Sequence, residues 1–458
     1  MKIATVSNKN IVNGSKIMKP NYHLNYGKKR IDKAIQNKRP FVELKHAVQD
    51  IYTGGIFRRL FVEREEFGLP YISAQHMMNS NPLEIAKVIS KKHTPRQEDM
   101  TLRTNQILVS CAGTVGNVRL IDEDLDGIIG SQDIIRVISD NSKFPYGYIY
   151  AFLASPTAYN YIQSYIYGTV VPRIEPKTLA NLPVPNLSKI QQQKIHDYIV
   201  EASKLRVEAN RLLKQAINYI ENQYNFRTAP KTFKVNISTI KNGDKYTNEN
   251  RLEADYYLPN KTFIESQIRT KNNALLGDLC ESVNISNLRA RTFVNKGITL
   301  FTGQSLGLLK PDLTKQLSRT LTRNIEQNLT KDGDVLVSAF GTLGKTEYCY
   351  KNFYTGVFAS QQIVRIRVNK SKIDEGYLYV FLKSKVGQEL IQKFKTGSVI
   401  EWANWNNFCS ILVPIPDDLG NSIGNTARIV ATKFDAAFKL ESQAIALIEK
   451  EIDLWQVS

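Results

Sequence analysis

The sequence predicts a mixed α/β protein with two tandem homologous globular domains. Each domain is followed by a long helix, and the two helices pair as an antiparallel coiled coil. Two observations support this prediction. A series of short motifs occurs twice in the 458-residue chain at a nearly constant separation. In addition, two long segments each carry one narrow apolar stripe at the spacing of an α-helix.

The repeated motifs follow one another in the same order in both halves of the chain. Partners such as Ser110 and Ser338, or Gly168 and Gly397, stand 228 or 229 residues apart. A separation held through several blocks indicates an internal duplication. The matched segments are 3–8 with 237–242, 21–24 with 255–258, 71–75 with 300–304, 107–116 with 335–344, 130–136 with 359–365, 147–153 with 376–382, 167–171 with 396–400, and 184–185 with 413–414.

The first long helix is predicted over 188–229, a segment without proline or glycine. Ser188 and Gln191 have the spacing of a capping box, in which a hydroxyl and an amide satisfy N–H groups of the first turn. About 35 to 40 residues at about 1.5 Å each make a rod whose narrow stripe requires one partner helix. The alternative is two shorter helices in an ordinary α domain. The stripe consists of Ile195, Ile199, Ala202, Leu205, Ala209, Leu212, Ala216, Ile220 and Tyr224.

The partner helix is predicted over 417–458, directly after Pro414 and Pro416. Its apolar residues are again three and four positions apart: Ile423, Ala427, Val430, Phe434, Ala437, Leu440, Ala444, Leu447, Ile448 and Ile452. The predicted domains are therefore 1–187 (first globular domain), 188–229 (central helix), 230–416 (second globular domain) and 417–458 (C-terminal helix).

Both globular domains are predicted to combine strands with helices. The segments 107–110, 134–138, 335–338 and 363–368 are rich in β-branched residues beside glycine turns, which is typical of strands. The segments 146–165 and 375–394 carry aromatic and aliphatic residues at helical spacing.

The composition is ordinary for a globular protein, with 42% hydrophobic and 23% charged residues. The first residues lack the apolar region of a signal peptide, and no run approaches the roughly 18 apolar residues of a membrane span. The four cysteines and five histidines have no metal-site spacing. We therefore expect a cytoplasmic protein with reduced thiols and no bound metal.

The net charge of +18 is the most informative property of the composition. A balance this basic favours a polyanionic partner, most simply nucleic acid. The alternative is a protein that is basic for solubility alone. The positive charge is spread along the chain, which argues against a disordered basic tail.

The two halves differ most between their shared motifs, in the segments 76–108 and 305–336. Both inserts are basic but unrelated in sequence, which suggests one task performed on two different targets. For any single residue, a plain surface loop is the alternative. The basic and imidazole residues are Lys87, Lys91, Lys92, His93, Arg96 and Arg103 in the first insert and Lys310, Lys315, Arg319, Arg323 and Lys331 in the second.

The ordered motifs resemble the specificity subunit of a type I restriction–modification enzyme, over essentially the whole chain. The residues that carry the resemblance are Thr53-Gly54-Gly55, Ile107-Leu108-Val109-Ser110, Gly113-Thr114-Val115-Gly116, Ser131-Gln132, Val170-Val171-Pro172-Arg173-Ile174, Leu182-Pro183-Val184-Pro185 and Gln191-Gln192-Gln193-Lys194-Ile195. No single motif is specific for this family, whereas the whole series, in this order and present twice, is specific for it.

This resemblance implies that each α/β domain is a target-recognition domain for one half of a split, asymmetric double-stranded DNA site. It implies that the paired helices set the spacer and dock two copies of a DNA adenine methyltransferase subunit, with a motor–nuclease restriction subunit joining in some complexes. S-adenosylmethionine, and ATP with Mg²⁺ where a restriction subunit is present, are expected in those partners, and no cofactor is expected in this chain. The second domain departs from the motifs at 284–291 and 399–406, which we interpret as a different target.

Candidate DNA contacts are basic residues for phosphates and polar or aromatic residues for bases. Trp402 and Trp405 are predicted to stack on a base or sugar; the alternative is packing in the core. Arg173 and Lys177 are predicted to bind phosphate; the alternative is an ion pair with Glu175 or Asp197. The full set is Arg58, Arg59, Gln75, His76, Lys91, Lys92, Arg96, Arg173 and Lys177 in the first half, and Arg289, Arg291, Gln304, Ser305, Arg319, Arg323, Trp402 and Trp405 in the second.

Catalysis by the chain itself has little support in the sequence. Asn81-Pro82 lacks the second proline and the aromatic residue of an adenine methyltransferase loop, and Glu43-Leu44-Lys45 is a nuclease-like triplet that occurs often by chance. The Gly113–Gly116 segment is not followed by a Lys-Ser/Thr pair, so a tight turn between strands is preferred over a nucleotide-binding loop. The remaining alternatives are a coiled-coil adaptor and a sequence-nonspecific DNA-binding protein.

Overall fold

In the computed structural model, the described residues are 11, 17–236, 240, 245–246, 251–286, 291–397 and 399–457. The chain forms two compact units: Met1–Val207 with Ala436–Ser458 (unit 1), and Glu208–Asp435 (unit 2). The matched segments 3–8 and 237–242 lie outside the described residues except for residue 240, and so does the candidate Arg289.

Unit 1 is a mixed α/β domain. Its strands are β1 (Phe41–Glu43), β2 (Val48–Thr53), β3 (Gly68–Ile72), β4 (Lys87–Ser90), β5 (Ile107–Ser110), β6 (Val118–Leu120), β7 (Ile129–Gly130), β8 (Ile134–Ser139) and β9 (Pro183–Pro185). Its helices are α1 (Pro20–Leu24), α2 (Tyr26–Gln36), α3 (Leu44–Ala47), α4 (Gln97–Met100), α5 (Tyr146–Leu153), α6 (Pro156–Ser164), α7 (Pro176–Ala180) and the first part of α8 (Lys189–Glu221).

The strands of unit 1 form a large antiparallel sheet in the order β2-β8-β5-β6 and a smaller sheet in the order β4-β3-β7. The predicted strand at 107–110 is confirmed, and all four of its residues are buried because it lies inside the large sheet. One face of that sheet packs on α5, whose residues 147–153 are all buried. The predicted helical segment 146–165 is divided at Pro156, where Ser155 caps α6.

Unit 2 repeats this plan. Its strands are β10 (Asn273–Leu275), β11 (Cys280–Asn284), β12 (Phe293–Val294), β13 (Ile298–Phe301), β14 (Gln316–Leu317), β15 (Val335–Ser338), β16 (Thr346–Tyr348), β17 (Phe358–Ala359), β18 (Ile363–Val368) and β19 (Leu412–Pro414). Its helices are α9 (Pro259–Arg269), α10 (Leu276–Leu279), α11 (Glu375–Lys383), α12 (Lys385–Lys393), α13 (Trp405–Cys409) and parts of α8 and α14 (Asp418–Leu454).

The sheets of unit 2 correspond to those of unit 1. The large sheet has the order β11-β18-β15-β16, and the smaller sheet has the order β12-β14-β13-β17. The strand pair β10–β19 takes the place of β1–β9. The predicted duplication of a mixed α/β domain is therefore confirmed at the level of topology.

The two long helices pair antiparallel within each unit. In unit 1, the Gln191 amide donates to Glu451 at 3.2 Å, and Arg206 forms an ion pair with Glu441. In unit 2, Lys433 pairs with Glu208 at 2.6 Å. The alanines of both stripes are buried, Ala202 and Ala444 fully so, which permits close approach of the helices.

The ends of α8 confirm one prediction and correct another. Ser188 and Gln191 form the predicted capping box: the Gln191 N–H donates to the Ser188 hydroxyl, and the Ser188 N–H donates to the Gln191 side chain. The helix ends at Glu221, whereas the proline-free stretch extends to residue 229. The chain leaves the helix because the backbone of Asn225 exchanges two hydrogen bonds, both 2.9 Å, with the Gln267 amide on α9.

Three further properties of the described residues bear on function. None of the helices there is long and apolar enough to cross a membrane. Within the same residues, no group of three or more His, Cys, Asp or Glu side chains is placed to hold a metal ion. The four cysteines form no disulfide there, and three of them are buried.

Candidate nucleic-acid interface

One end of the large sheet in unit 1 gathers most of the motifs. β2 ends at Thr53 and β5 ends at Ser110, next to the start of β8, because Thr53 pairs with Ile135 and Ser110 pairs with Ile134. The small sheet joins this end through the Ser131 N–H, which donates to the Ile72 carbonyl at 2.9 Å. We call the loops that meet there, residues 54–59, 73–76, 111–117, 131–133 and 167–174, the loop edge of unit 1.

Unit 2 has the equivalent loop edge, formed by residues 285–286, 291, 302–305, 339–345, 360–362, 396–397 and 399–403. β15 ends at Ser338, opposite the first residue of β18. The Ser360 N–H donates to the Phe301 carbonyl at 2.8 Å and so joins the small sheet to this end. The same antiparallel register in both sheets thus brings the repeated motifs together twice.

The Gly-Thr-x-Gly motifs are tight turns, as predicted. In unit 1 the turn joins β5 to β6, with Gly113 at φ +73° and Gly116 at φ +92°. The Ser110 hydroxyl accepts from the Asn117 N–H at 2.9 Å and donates to the Thr114 carbonyl. In unit 2, Ser338 makes the same two contacts with Lys345 and Thr342. The serine therefore fixes the turn and is not free to contact a ligand.

A second loop packs on each turn, and we call its described residues the apical loop (167–173 in unit 1, 396–397 and 399–402 in unit 2). In unit 1, Tyr167 and Arg173 exchange two backbone hydrogen bonds of 3.0 and 2.8 Å, and the Gly113 N–H donates to the Pro172 carbonyl. Gly168, at φ +88°, provides the reversal.

Unit 2 repeats the apical loop contact by contact. Thr396 and Trp402 exchange backbone bonds of 2.8 and 2.9 Å, and the Gly341 N–H donates to the Glu401 carbonyl. Gly397 has φ +85°. The two loops therefore share these backbone hydrogen bonds and the glycine reversal, while Arg173 in one is replaced by Trp402 in the other.

Buried arginines hold the inserts to the sheets. In unit 1, the fully buried Arg136 donates to the carbonyls of Gly130 at 2.7 Å and Met100 at 3.1 Å. In unit 2, Arg365 donates to the carbonyls of Gln327 at 3.1 Å and Leu329 at 3.4 Å. Burial lowers the pKa of both guanidinium groups.

Sequence reasoning did not single out these arginines, because an Arg side chain is ordinarily exposed and no local pattern marks a buried one. Their equivalent positions in one repeated block, with unrelated inserts around them, were the available signal. A third buried residue, Arg119, donates to the carbonyls of Met77 at 2.8 Å and Asn79 at 2.5 Å and so fixes the loop that follows His76.

The structure brings several candidates of unit 1 to the loop edge. Arg96 lies against Gly55, where an added Cβ would stand 3.5 Å from the Arg96 side chain. Arg96 has φ +51°, a left-handed conformation that costs a non-glycine residue about 1–2 kcal/mol. Gln75 is exposed in the adjoining turn.

Three other candidates of unit 1 also belong to this surface. Arg59 donates to the Tyr71 hydroxyl at 3.0 Å, and Arg58 is exposed beside it. Burial, and secondarily the charge of Lys87, lowers the pKa of the His76 imidazole, which suits a neutral hydrogen-bonding contact and not a phosphate contact.

The remaining candidates of unit 1 differ in position. Lys91 and Lys92 are exposed beyond the end of β4 that pairs with Gly68, the opposite end of β3 from Gln75. Arg173 and Lys177 are exposed, and neither forms an ion pair with a described residue, so the predicted alternative of pairing with Glu175 or Asp197 is wrong in this structure.

The candidates of unit 2 separate into exposed and internal groups. Gln304 and Arg323 are exposed, whereas Ser305 is buried and its hydroxyl shares a hydrogen bond with Thr302 at 3.4 Å. Arg291 donates to the side chain of Gln361 at the loop edge. Arg319 is held in an exposed ion pair with Glu326.

The two tryptophans have different environments. Trp402 is 38% exposed and stacks on Phe340, with ring centroids 5.9 Å apart and planes inclined by 11°. Trp405 packs against the core of unit 2. Stacking on a base is therefore open to Trp402, and the alternative of core packing holds for Trp405.

Comparison with known proteins gives one family and a set of solved structures. The family model described as "Type I restriction modification DNA specificity domain" matches residues 48–222 and again 237–450. No curated protein sequence matches the chain significantly.

Solved structures similar to the chain include a type I restriction-modification system S subunit from M. genitalium, at 14% identity over 91% of this chain and 95% of that one, with a TM-score of 0.36. The HsdS subunit from Thermoanaerobacter tengcongensis is 16% identical over 91% of this chain and 96% of that one, with a TM-score of 0.28.

Proposed function

Because the chain belongs to the family of type I restriction–modification DNA specificity domains, and so provides DNA sequence specificity, we propose that each unit reads one half of a split, asymmetric duplex site through its loop edge. The duplication of the loop edge carries this proposal. Both units have the same sheet end and the same two turns, while their inserts and several exposed side chains, such as Arg173 against Trp402, differ. One scaffold with two sets of side chains suits two different half-sites.

The exposed residues supply the two kinds of contact that such reading requires. Arg58, Arg96 and Arg173 in unit 1 are free to neutralise phosphates or to bond guanine in the major groove. Gln75 and Gln304 take equivalent positions after β3 and β13 and suit adenine edges. The net charge of +18 supports a sequence-independent attraction to DNA on which this reading is superimposed.

The paired helices α8 and α14 set the spacer between the half-sites and dock two methyltransferase subunits, with a motor–nuclease subunit joining in a restriction complex. The chain performs no chemistry itself. S-adenosylmethionine, and ATP with Mg²⁺ in the restriction complex, bind to the partner subunits. The assembly acts in the cytoplasm, where it meets DNA.

The test is selection from random duplex DNA by the protein co-expressed with a type I methyltransferase subunit, at two salt concentrations. Enrichment of a split motif with a fixed gap at both concentrations supports the proposal. Tight binding that selects no sequence and is lost at the higher salt contradicts it, because phosphate contacts alone behave in that way.

A further inference from the structure

The tip of each apical loop presents an apolar side chain to water. Val170 in unit 1 is 91% exposed, and Val399 in unit 2 is 93% exposed. The next residues, Val171 and Ile400, are 44% and 64% exposed. A single exposed aliphatic residue needs no explanation, but here the same exposure recurs at equivalent positions of two repeats.

The backbone of both loops holds this tip in place. The bases of the loops are closed by paired backbone hydrogen bonds, Tyr167 with Arg173 and Thr396 with Trp402. A Cβ on Gly168 would lie 2.4 Å from the Val171 carbonyl oxygen, and a Cβ on Gly397 would lie 2.4 Å from the corresponding oxygen of Ile400. Glycine is therefore required for a reversal that projects the apolar residue.

The surroundings of the two tips have diverged while the tips have not. Arg173 in unit 1 is replaced in unit 2 by Trp402, and the neighbouring Ala112 is replaced by Phe340. A feature that is retained while its neighbours change serves a task common to both units. Hydrogen-bonded reading of a base is not such a task, because a valine side chain has neither a donor nor an acceptor.

The chemistry around both tips fits nucleic acid. In unit 1, the exposed Arg173 at the base of the loop and Lys177 after it form no ion pair with a described residue and are available to phosphates. In unit 2, Trp402 and Phe340 form an exposed aromatic stack, which offers a flat surface to bases. A protein partner fits the tips less well than nucleic acid does. A stable protein interface buries about 800 Å² per partner, whereas each tip offers only two side chains.

We propose that the apical loops are wedges, which insert Val170 and Val399 between stacked base pairs, one step in each half-site. This inference rests on the proposed function and specifies how the loop edges engage DNA. Separation of a base step opens the duplex locally and is repaid by burial of an apolar side chain that water otherwise surrounds. The contact is independent of sequence, which explains its presence in both units.

The experiment uses the complex with co-expressed methyltransferase and a duplex that contains both half-sites. The fluorescent base 2-aminopurine, which brightens when it is unstacked, replaces one base at a time, excluding the base to be methylated. We expect the wild-type complex to show increased fluorescence at one step in each half-site. Val170→Ser is expected to abolish the increase in the first half-site only, and Val399→Ser in the second only.

Two matched variants and one altered duplex complete the design. Val170→Leu retains an apolar tip and should preserve the signal, and Val457→Ser changes a valine that is 71% exposed after α14 and should have no effect. Val170→Ser should weaken binding about tenfold, at the low end of what one mismatched base pair costs in a specific site. An abasic site at the wedged step should restore that affinity, since unstacking is then already complete.

The outcomes separate the wedge from the function on which it rests. Selective half-site binding without any increase in fluorescence overturns the wedge and leaves the proposed function intact. Release of the methyltransferase by the serine variants, with fluorescence unchanged, identifies the tips as a protein-docking site and also overturns the wedge. Failure of the wild-type complex to select half-sites overturns the proposed function and the wedge with it.

Discussion

Arg136 and Arg365 stand 229 residues apart in the chain and occupy the same position in β8 and β18, equivalent inner strands of their respective sheets. Each donates to a carbonyl of an insert that has no counterpart in the other unit: Met100 for Arg136, and Gln327 for Arg365. The repeated scaffold thus fastens each variable insert with the same side chain. Recognition surfaces can change while their attachment is retained.

Replacement of Arg136 by leucine should destabilise the protein by about 2–4 kcal/mol, because buried carbonyls lose their donor. The matched control is Arg58→Leu, which removes an exposed guanidinium and should change stability by less than about 0.5 kcal/mol. Urea denaturation monitored by circular dichroism compares the two. Equal unfolding midpoints would show that Arg136 does not fasten the insert.

The ion pair between Arg206 and Glu441 predicts a second difference in stability. The Glu441 carboxylate is 2% exposed and also accepts from the Tyr150 hydroxyl at 2.6 Å. Glu441→Gln should therefore cost about 2–4 kcal/mol, because it leaves the Arg206 guanidinium, whose side chain is only 12% exposed, without its counter-ion. Glu208→Gln removes a carboxylate that is 45% exposed and pairs with Lys433, and should cost at most about 1 kcal/mol. A larger loss at Glu208 in thermal unfolding would contradict this account.

His196 predicts a dependence of stability on pH. Burial lowers the pKa of its imidazole, and Nδ1 accepts from the Gly147 N–H at 3.2 Å, so the folded state favours the neutral ring. The unfolded chain takes up a proton first as the pH falls below about 6.5. The stabilisation that neutral His196 gives to the folded state is therefore complete above that pH. It is lost as the pH falls towards the lower pKa of His196 in the folded state.

The substitution His196→Asn tests this pH dependence, because asparagine keeps an acceptor without a titrating ring. We expect a smaller loss of unfolding free energy between pH 7.5 and 5.5 in the variant than in the wild type. Urea titrations at the two pH values measure it. An unchanged difference would assign the dependence to other groups.

The paired helices predict that the DNA spacer follows their length. Deletion of one heptad from each of α8 and α14 keeps the stripes in register and removes about 10 Å of helix, since each residue rises about 1.5 Å. The selected spacer should shorten by about 3 base pairs, with both half-sites unchanged. Altered half-sites with the original spacer would show that the helices do not set the spacer length.

Local patterns in the sequence predicted much of the fold. The strand at 107–110 and the capping box of Ser188 and Gln191 depend on neighbouring residues and are present as predicted. The end of α8 at Glu221 depends on Gln267, which is distant in sequence. The absence of proline and glycine up to residue 229 therefore could not predict where the helix ends. Proline-free composition permits a helix, and tertiary contacts decide where it stops.

The candidate site was predicted less completely than the fold. The repeated order of the motifs correctly predicted a glycine turn at the same place in each unit. Residue type alone could not show that Ser305 is buried while Gln304 beside it is exposed. The same limit applies to Trp402 and Trp405, whose burial depends on which neighbours the fold supplies. The apolar tips went unnoticed because valine is ordinarily a core residue, and only the structure exposes Val170 and Val399.

The most direct test of the central claim measures how two substitutions affect the two half-sites. Arg96→Ala lies in unit 1 and Arg323→Ala in unit 2, and both side chains are exposed. Quantitative footprinting on the selected site should show that Arg96→Ala weakens protection of one half-site by about 1–3 kcal/mol and that Arg323→Ala weakens the other. Equal weakening of both half-sites by either variant would contradict the assignment of one half-site to each unit.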